Sequence, residues 1–217
     1  MTVRTKEYRK SIDPYLDEVL LKWGTDKVWS EYHITYGELY KDSRLEVKRV
    51  LEVGIGSFEH VPDNFNGIRT MYPYYKPGGS LRAWRDYFPN ATIHGIDIGT
   101  DCKFDEERLK TFIFDSTDWK KCYENLKGFE YDIIIDDGSH LSLSQLLTFK
   151  NLVQFLKKGG RYFIEDLGGS PGYLVGENST YYKPELVNGI FEPELIKTAK
   201  QYNLNLVEGR YHPVIIQ

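Results

Sequence analysis

Cysteine is nearly missing from this chain: its 217 residues hold only Cys102 and Cys122. The two stand in unrelated contexts without metal-type spacing, which argues against a disulfide framework or a thiolate metal site and leaves plain thiols. Long apolar runs are missing too. Nothing approaches the ~20 residues that a membrane-spanning helix needs, and the opening segment MTVRTKEYRK lacks the apolar centre of a signal peptide. The expectation is a cytoplasmic protein with no membrane partner. Basic excess is a third absence. The formal net charge is −4, and lysines occur as scattered pairs such as Lys120-Lys121 and Lys157-Lys158. Without a cationic stripe to meet phosphates, nucleic acid is not expected as a partner. Repeats and low-complexity stretches are also lacking, and the length suits one substantial core with appendages.

What is abundant is tyrosine, 17 in number, with many crowded into 72–75 and 173–182. Tyrosines in loop-like stretches suggest a binding surface, because the ring is apolar and the hydroxyl is not.

Residues 12–23 carry Ile12, Tyr15, Leu16, Val19, Leu20 and Trp23 at helical spacing, with Asp13-Pro14 suited to start the helix and Gly24 to end it. A second helix is predicted over about 30–42. Val47–Val53 then reads as a buried strand running into the glycine turn Gly54-Ile55-Gly56. Further strands are predicted near Thr92–Asp97, Thr111–Phe114, Tyr131–Asp136, Arg161–Glu165, Asn205–Glu208 and Pro213–Ile216, and helices near Ser80–Phe88, Asp118–Asn125, Ser142–Lys157 and Pro193–Tyr202. Such alternation implies an α/β fold: a Rossmann-like, doubly wound, seven-stranded and mostly parallel sheet with helices on both faces. The short Gly209-Arg210 link pairs the last two strands as a hairpin, which makes the last strand of the sheet antiparallel. Residues 1–45 form an N-terminal helical extension or lid to a domain spanning 46–217. Residues 57–79 and 168–191 are far longer than ordinary connections, as functional loops are.

In an open parallel sheet, ligands bind beyond the carboxyl ends of the strands. Every strand end here carries acid or glycine: LEVGIG, HGID, FDS, DIIIDDGSH and FIED. A single aspartate there is an ordinary helix or loop cap. Two carboxylates followed by an imidazole, as in Asp136-Asp137-Gly138-Ser139-His140, exceed that role. Asp97 can accept two hydrogen bonds from a ribose diol. A nicotinamide-dinucleotide site would need glycine at 59, where the chain has Glu59. Because side chains alternate along a strand, Asp136 and Asp137 face opposite ways.

Taken in order, VLEVGIG, GGSLRAWRDYFPNATIHGIDI, FDSTD, DIIIDDGSH and KKGGRYFIEDL resemble the class I S-adenosylmethionine-dependent methyltransferases. More narrowly they are similar to the metal-dependent sugar O-methyltransferases of macrolide biosynthesis, the mycinamicin type, and to relatives called cephalosporin hydroxylases. WGTDKVWSEYHITYGELY, residues 23–40, resembles the segment preceding the core in that family. The resemblance implies that Glu52, Gly54 and Gly56 line the methionine part of the cofactor, that Ser80 and Leu81 approach it, that Asp97 holds the ribose, and that Asp115 and Ser116 sit by the adenine. It also implies Mg²⁺ ligands at Asp137, Glu165 and Asp166, a general base at His140, and homo-oligomerisation. Asp136 is left to the cofactor side. His33 and Tyr36 are read as packing residues with a secondary chance of closing over the cofactor, and Tyr173, Tyr181 and Tyr182 as a substrate lid.

The chemistry fits these residue types. Methyl transfer from a sulfonium needs an aligned hydroxyl at ~3–3.5 Å and removal of its proton. Mg²⁺ favours oxygen ligands and can hold a sugar diol, while histidine titrates where a proton acceptor is wanted. The expected substrate is a glycoside or other polyol small molecule. Two other readings stay open at this point: a nicotinamide-dependent oxidoreductase on a Rossmann sheet, and a catalytically silent cofactor-binding module.

Overall fold

The computed structural model describes residues 8–59, 77–166, 192–208 and 214–217. Most of the 57–79 and 168–191 insertions, the Gly209-Arg210 turn, and Tyr173, Tyr181 and Tyr182 lie outside the described residues.

Helix α1 (Pro14–Trp23) starts where the sequence says it should. Asp13 Oδ1 accepts the backbone N–H groups of Tyr15 and Leu16, Pro14 fills the first turn, and Gly24 closes the helix in the left-handed conformation. A short 3₁₀ turn, Asp26–Val28, leads into α2 (Tyr32–Tyr40). The sheet then begins: β1 (Arg49–Val53), α3 (Gly79–Tyr87), β2 (Thr92–Asp97), β3 (Asp105–Glu106), β4 (Leu109–Ile113), α4 (Trp119–Leu126), β5 (Tyr131–Asp136), α5 (Ser142–Leu152), β6 (Leu156–Ile164), α6 (Glu192–Gln201), β7 (Leu206–Glu208) and β8 (Val214–Ile216).

The strands form one sheet in the order β3-β4-β2-β1-β5-β6-β8-β7. Strands β4, β2, β1, β5 and β6 are parallel, β8 runs antiparallel to β6, and β7 pairs antiparallel with β8. All the expected strands are present, and the addition is the two-residue β3, antiparallel to β4 and too short to carry a hydrophobic pattern. Strand β6 starts earlier than Arg161. After a 3₁₀ turn at Val153–Phe155 the helix stops, and Lys157-Lys158-Gly159-Gly160 bulges within the strand instead of preceding it. Gly159 has φ 80°, and Gly160 is pressed against the carbonyls of Tyr131 and Asp132, so both glycines serve the bulge.

Strand alternation splits the apolar residues between two layers. Val50, Ile133, Ile135 and Phe163 pack with α1, α2 and α3 through Leu16, Leu20, Tyr36, Trp84 and Tyr87. Leu51, Ile134, Tyr162 and Ile164 face α4, α5 and α6 through Leu126, Phe149 and Ala199. The N-terminal helices thus share a core with the sheet. They are also joined to α3 by polar contacts: Tyr87 donates to Asp13 (2.6 Å), and Lys22 and Trp23 both donate to Asp86 (2.8 Å). No helix among the described residues is long and apolar enough to cross a membrane.

His94, in β2, is buried and structural. The Tyr131 hydroxyl and its Nδ1 share a hydrogen bond of 2.7 Å, and the rings of Phe112 and Phe129 meet it edge-on. Burial, helped by Arg49 and Lys110, pushes its pKa down to about 4. The folded protein therefore binds this proton more weakly than the unfolded chain does. Stability from His94 is complete above the ordinary histidine pKa near 6.5 and is lost as pH falls from there towards 4. The loss should reach on the order of 2–3 kcal/mol. Urea unfolding at pH 7 and pH 4.5 should show a larger drop for the parent than for His94→Gln.

Candidate active site

The carboxyl ends of β1, β2, β4 and β5 surround a cavity of about 460 Å³, within the size range of small-molecule sites. It lies where the strand order reverses, between β1 and β5. The floor is the glycine turn after β1. Gly54 has φ 78°, and a Cβ there would collide with the carbonyl of Asp137, so the turn and the end of β5 approach as only glycine allows. Asp97 ties this turn to β2: its carboxylate accepts from Ile55 N at 2.8 Å and Gly99 N at 2.9 Å. Further along, Asp115 caps its own turn through Thr117, and the hydroxyls of Ser116 and Thr148 share a hydrogen bond at 2.8 Å.

Of the residues expected to meet the cofactor, Gly54, Gly56, Ser80, Asp97, Asp115, Ser116 and Asp136 line the cavity. Glu52 and Leu81 are not among the lining residues. Leu81 is fully buried against Gly95, and Glu52 lies under the floor in an ion pair. Asp136 is almost wholly buried; its Oδ1 accepts from Gly138 N at 3.3 Å, and its Oδ2 has no hydrogen-bond partner among the described residues. Burial, with a smaller push from Asp137, raises its carboxyl to about 8.

At the other end Asp137 and His140 line the cavity and meet Asp166, which lies beside it; each offers a ligand atom within 4.8 Å of the others. His140 Nε2 stands 3.9 Å from Asp166 Oδ2, and its Nδ1 has no hydrogen-bond partner among the described residues. Both His140 (φ 57°) and Asp166 (φ 47°) sit in the left-handed region, which non-glycine residues rarely adopt. Asp166 is held there from two sides. Tyr32 donates its hydroxyl hydrogen to Asp166 Oδ1 at 2.8 Å and accepts the Asp166 N–H at 3.0 Å, while Gln145 Nε2 donates to the carbonyls of Glu165 and Asp166.

Glu165, expected beside Asp137 and Asp166, is buried behind them. Its Oε2 meets Lys27 Nζ at 2.5 Å and its Oε1 accepts from Tyr36 at 2.6 Å. Lys27 is 1% exposed and also reaches Asp137 Oδ2 at 2.9 Å and Glu52 Oε1 at 3.0 Å. Burial works against its charge, but Asp137, Glu165 and Glu52 outweigh that and hold the ammonium well above the ordinary lysine range. Burial pushes Glu52 and Glu165 upward despite the lysine, because one ammonium cannot compensate three carboxylates. Asp26 projects into the cavity, where its side chain is reached by solvent yet hemmed in by protein.

Sequence reasoning passed over Lys27, Asp26, Tyr32 and Gln145. A signal existed in the segment WGTDKVWS: a charged pair between two apolar helices is unusual, and the strand-end acids lacked any nearby cation. His33 is buried between the carbonyls of Arg9 and Lys27 and, like Tyr36, does not line the cavity.

This fold, with its cavity at the β1/β5 reversal, is that of the class I methyltransferases. No protein-family model matches the chain. It is 32% identical over 206 residues, 92% of its length, to a demethylmacrocin O-methyltransferase of Streptomyces fradiae. It is 35% identical over 157 residues to the 8-demethyl-8-(2-methoxy-alpha-L-rhamnosyl)-tetracenomycin-C 3'-O-methyltransferase of Streptomyces olivaceus, a match covering 70% of this chain. The matches cover 48% and 36% of those relatives, so the chain spans about half their length or less. Among solved structures, the MycE methyltransferase from the mycinamycin pathway, in complex with Mg and SAH, superposes with a TM-score of 0.66 at 26% identity, covering 95% of this chain and 55% of that one. The chain is thus a member of the class I methyltransferases, related within it to the sugar O-methyltransferases of antibiotic pathways.

The Asp136 carboxyl gives this site a stability signature. It stays protonated in the fold up to about pH 8 but ionises near 4 when unfolded, so the folded state binds more protons between those limits and stability falls as pH rises through them. In the ligand-free protein, Asp136→Asn should be more stable than the parent at pH 8 by on the order of 3 kcal/mol, and similar to it at pH 4. Guanidinium unfolding at both pH values reads the difference.

Proposed function

We propose that the protein is an S-adenosylmethionine-dependent, Mg²⁺-dependent O-methyltransferase acting on a hydroxyl of a sugar-containing or polyol small molecule. The observation that carries the reading is the make-up of the cavity at the β1/β5 reversal. One end has the glycine turn, Asp97 and the Asp115-Ser116 corner suited to a nucleoside; the other has the Asp137, His140 and Asp166 cluster suited to an alcohol and a cation. The names of the relatives, and an MycE structure containing Mg, SAH and mycinamycin VI at 25% identity, support the same assignment. They give no support to the nicotinamide reading.

Bound S-adenosylmethionine supplies the methyl group. In this reading Gly54 and Gly56 let the backbone approach it, Asp97 accepts from its ribose hydroxyls, Asp115 and Ser116 border its adenine, and Ser80 and Asp136 close the methionine side. Glu52 and Leu81 act from beneath by fixing the floor. The donor set also suits a hard cation: Asp137 offers a carboxylate to the cavity, Asp166 offers another within 4.8 Å of it, and Glu165 stands behind them. Mg²⁺ held there would polarise the acceptor hydroxyl. Imidazole is a poorer partner for Mg²⁺, which leaves His140 for the proton. His140 lines the cavity, and Asp166, 3.9 Å from its Nε2, would stabilise the imidazolium formed when it takes the hydroxyl proton. The 1–45 segment is then the wall of the site through Thr25 and Asp26, and 46–217 the cofactor-binding domain.

Calorimetric titration with S-adenosylhomocysteine, with and without Mg²⁺, tests the cofactor assignment. Binding in both conditions is expected, and no binding in either would sink it. For methyl transfer to a glycoside acceptor, His140→Ala and Asp137→Ala should each lower kcat by about 10²–10⁴-fold. Transfer that is indifferent to a chelator would remove Mg²⁺ from the reading while leaving the methyltransferase in place.

A further inference from the structure

Lys27 belongs to the site without lining the cavity. Its neighbours in the 3₁₀ turn, Thr25 and Asp26, line the wall, whereas Lys27 turns inward and is almost fully buried. Its ammonium meets acids carried by three different strands of the sheet: Glu52 at 3.0 Å from β1, Asp137 at 2.9 Å after β5, and Glu165 at 2.5 Å after β6. Strand parity explains the convergence. Glu52 shares its face with Val50, and Glu165 with Phe163, on the side where α1 and α2 pack. Asp137, one residue beyond Asp136, points to that same side. Tyr36, from the same N-terminal layer, holds the second oxygen of Glu165.

We infer that Lys27, backed by Tyr36, is the positioning residue of the acidic site: it fixes Asp137 and Glu165 before any cation arrives, so that Asp137 meets the cation already oriented. The inference rests on the reading that Asp137 holds a divalent cation. Without an internal positive charge these carboxylates would repel one another and turn outward. With Lys27 in place, one oxygen of Asp137 is committed to the ammonium and the other is left for the cavity. Groups that hydrogen-bond to metal-binding carboxylates in this way set metal affinity as strongly as 10–100-fold. Glu52 has a different part. It does not line the cavity and shares the ammonium from behind.

The test is calorimetric titration of the full chain with Mg²⁺ alone, with circular dichroism to check folding. Lys27→Met should weaken Mg²⁺ binding by about tenfold or more. Should Lys27→Met fail to fold, Tyr36→Phe keeps every charge in place and frees only one oxygen of Glu165; a loss of about threefold or more is then expected, and unchanged affinity overturns the inference. Affinity that Lys27→Met leaves unchanged, or tightens, overturns it as well, because the lysine would then be a mere filler or a competitor of the cation. Those outcomes leave the cation reading intact. Absence of Mg²⁺ binding by the unsubstituted chain would overturn both.

Discussion

A single buried ammonium organises this molecule. Removing one partner from a buried ion cluster typically costs about 3–5 kcal/mol, since the charge left behind has neither water nor counter-ion. Lys27 stands in that position towards Glu52, Asp137 and Glu165, and through them towards the ends of three central strands. The lysine is therefore both a clamp on the fold and a constraint on the site. It joins the N-terminal helices to the sheet through charge, where Leu16, Leu20 and Tyr36 join them through apolar area.

The two ends of the cavity follow different physical rules. At the glycine turn, geometry comes from the backbone: Gly54 and Gly56 have positive φ, and Asp97 draws Ile55 and Gly99 onto one carboxylate. At the acid end it comes from side chains brought in from afar. His140 and Asp166 hold unfavourable backbone angles, which persist only where surrounding contacts over-determine them. Tyr32 and Gln145 supply those contacts for Asp166. Asp136 sits between these regimes, on the opposite face from Asp137, with a carboxyl kept neutral by burial.

Much of this was legible in the residues. The isoleucine run of β5 marks a strand buried on both faces, and Ile133 and Ile135 do separate from Ile134 into different layers. The same alternation anticipates the parting of Asp136 and Asp137. Acid or glycine at every strand end points to the side of the sheet where the cavity opens. What escaped was whatever depends on pairs distant in sequence. Lys27 lies 110 residues from Asp137 and 138 from Glu165, and no periodicity connects them. The committed state of Glu165 was hidden for the same reason, since its identity is visible in the sequence and its partners are not. The boundary of β6 was missed because a Gly-Gly pair reads as a loop, although here it allows a bulge within a strand.

Tyr32 and Lys27 belong to the earliest described part of the chain, and their partners Glu165 and Asp166 come more than a hundred residues later. On a ribosome making protein from the amino end, the helices that carry the cation are complete long before the acids they must meet. Until β6 has emerged, Lys27 can meet only Glu52 and Asp137, and the apolar face of α1 and α2 has only part of its sheet. Assembly of the site is thus tied to the last central strand, and a truncated product would lack the acidic centre rather than hold a weakened version of it.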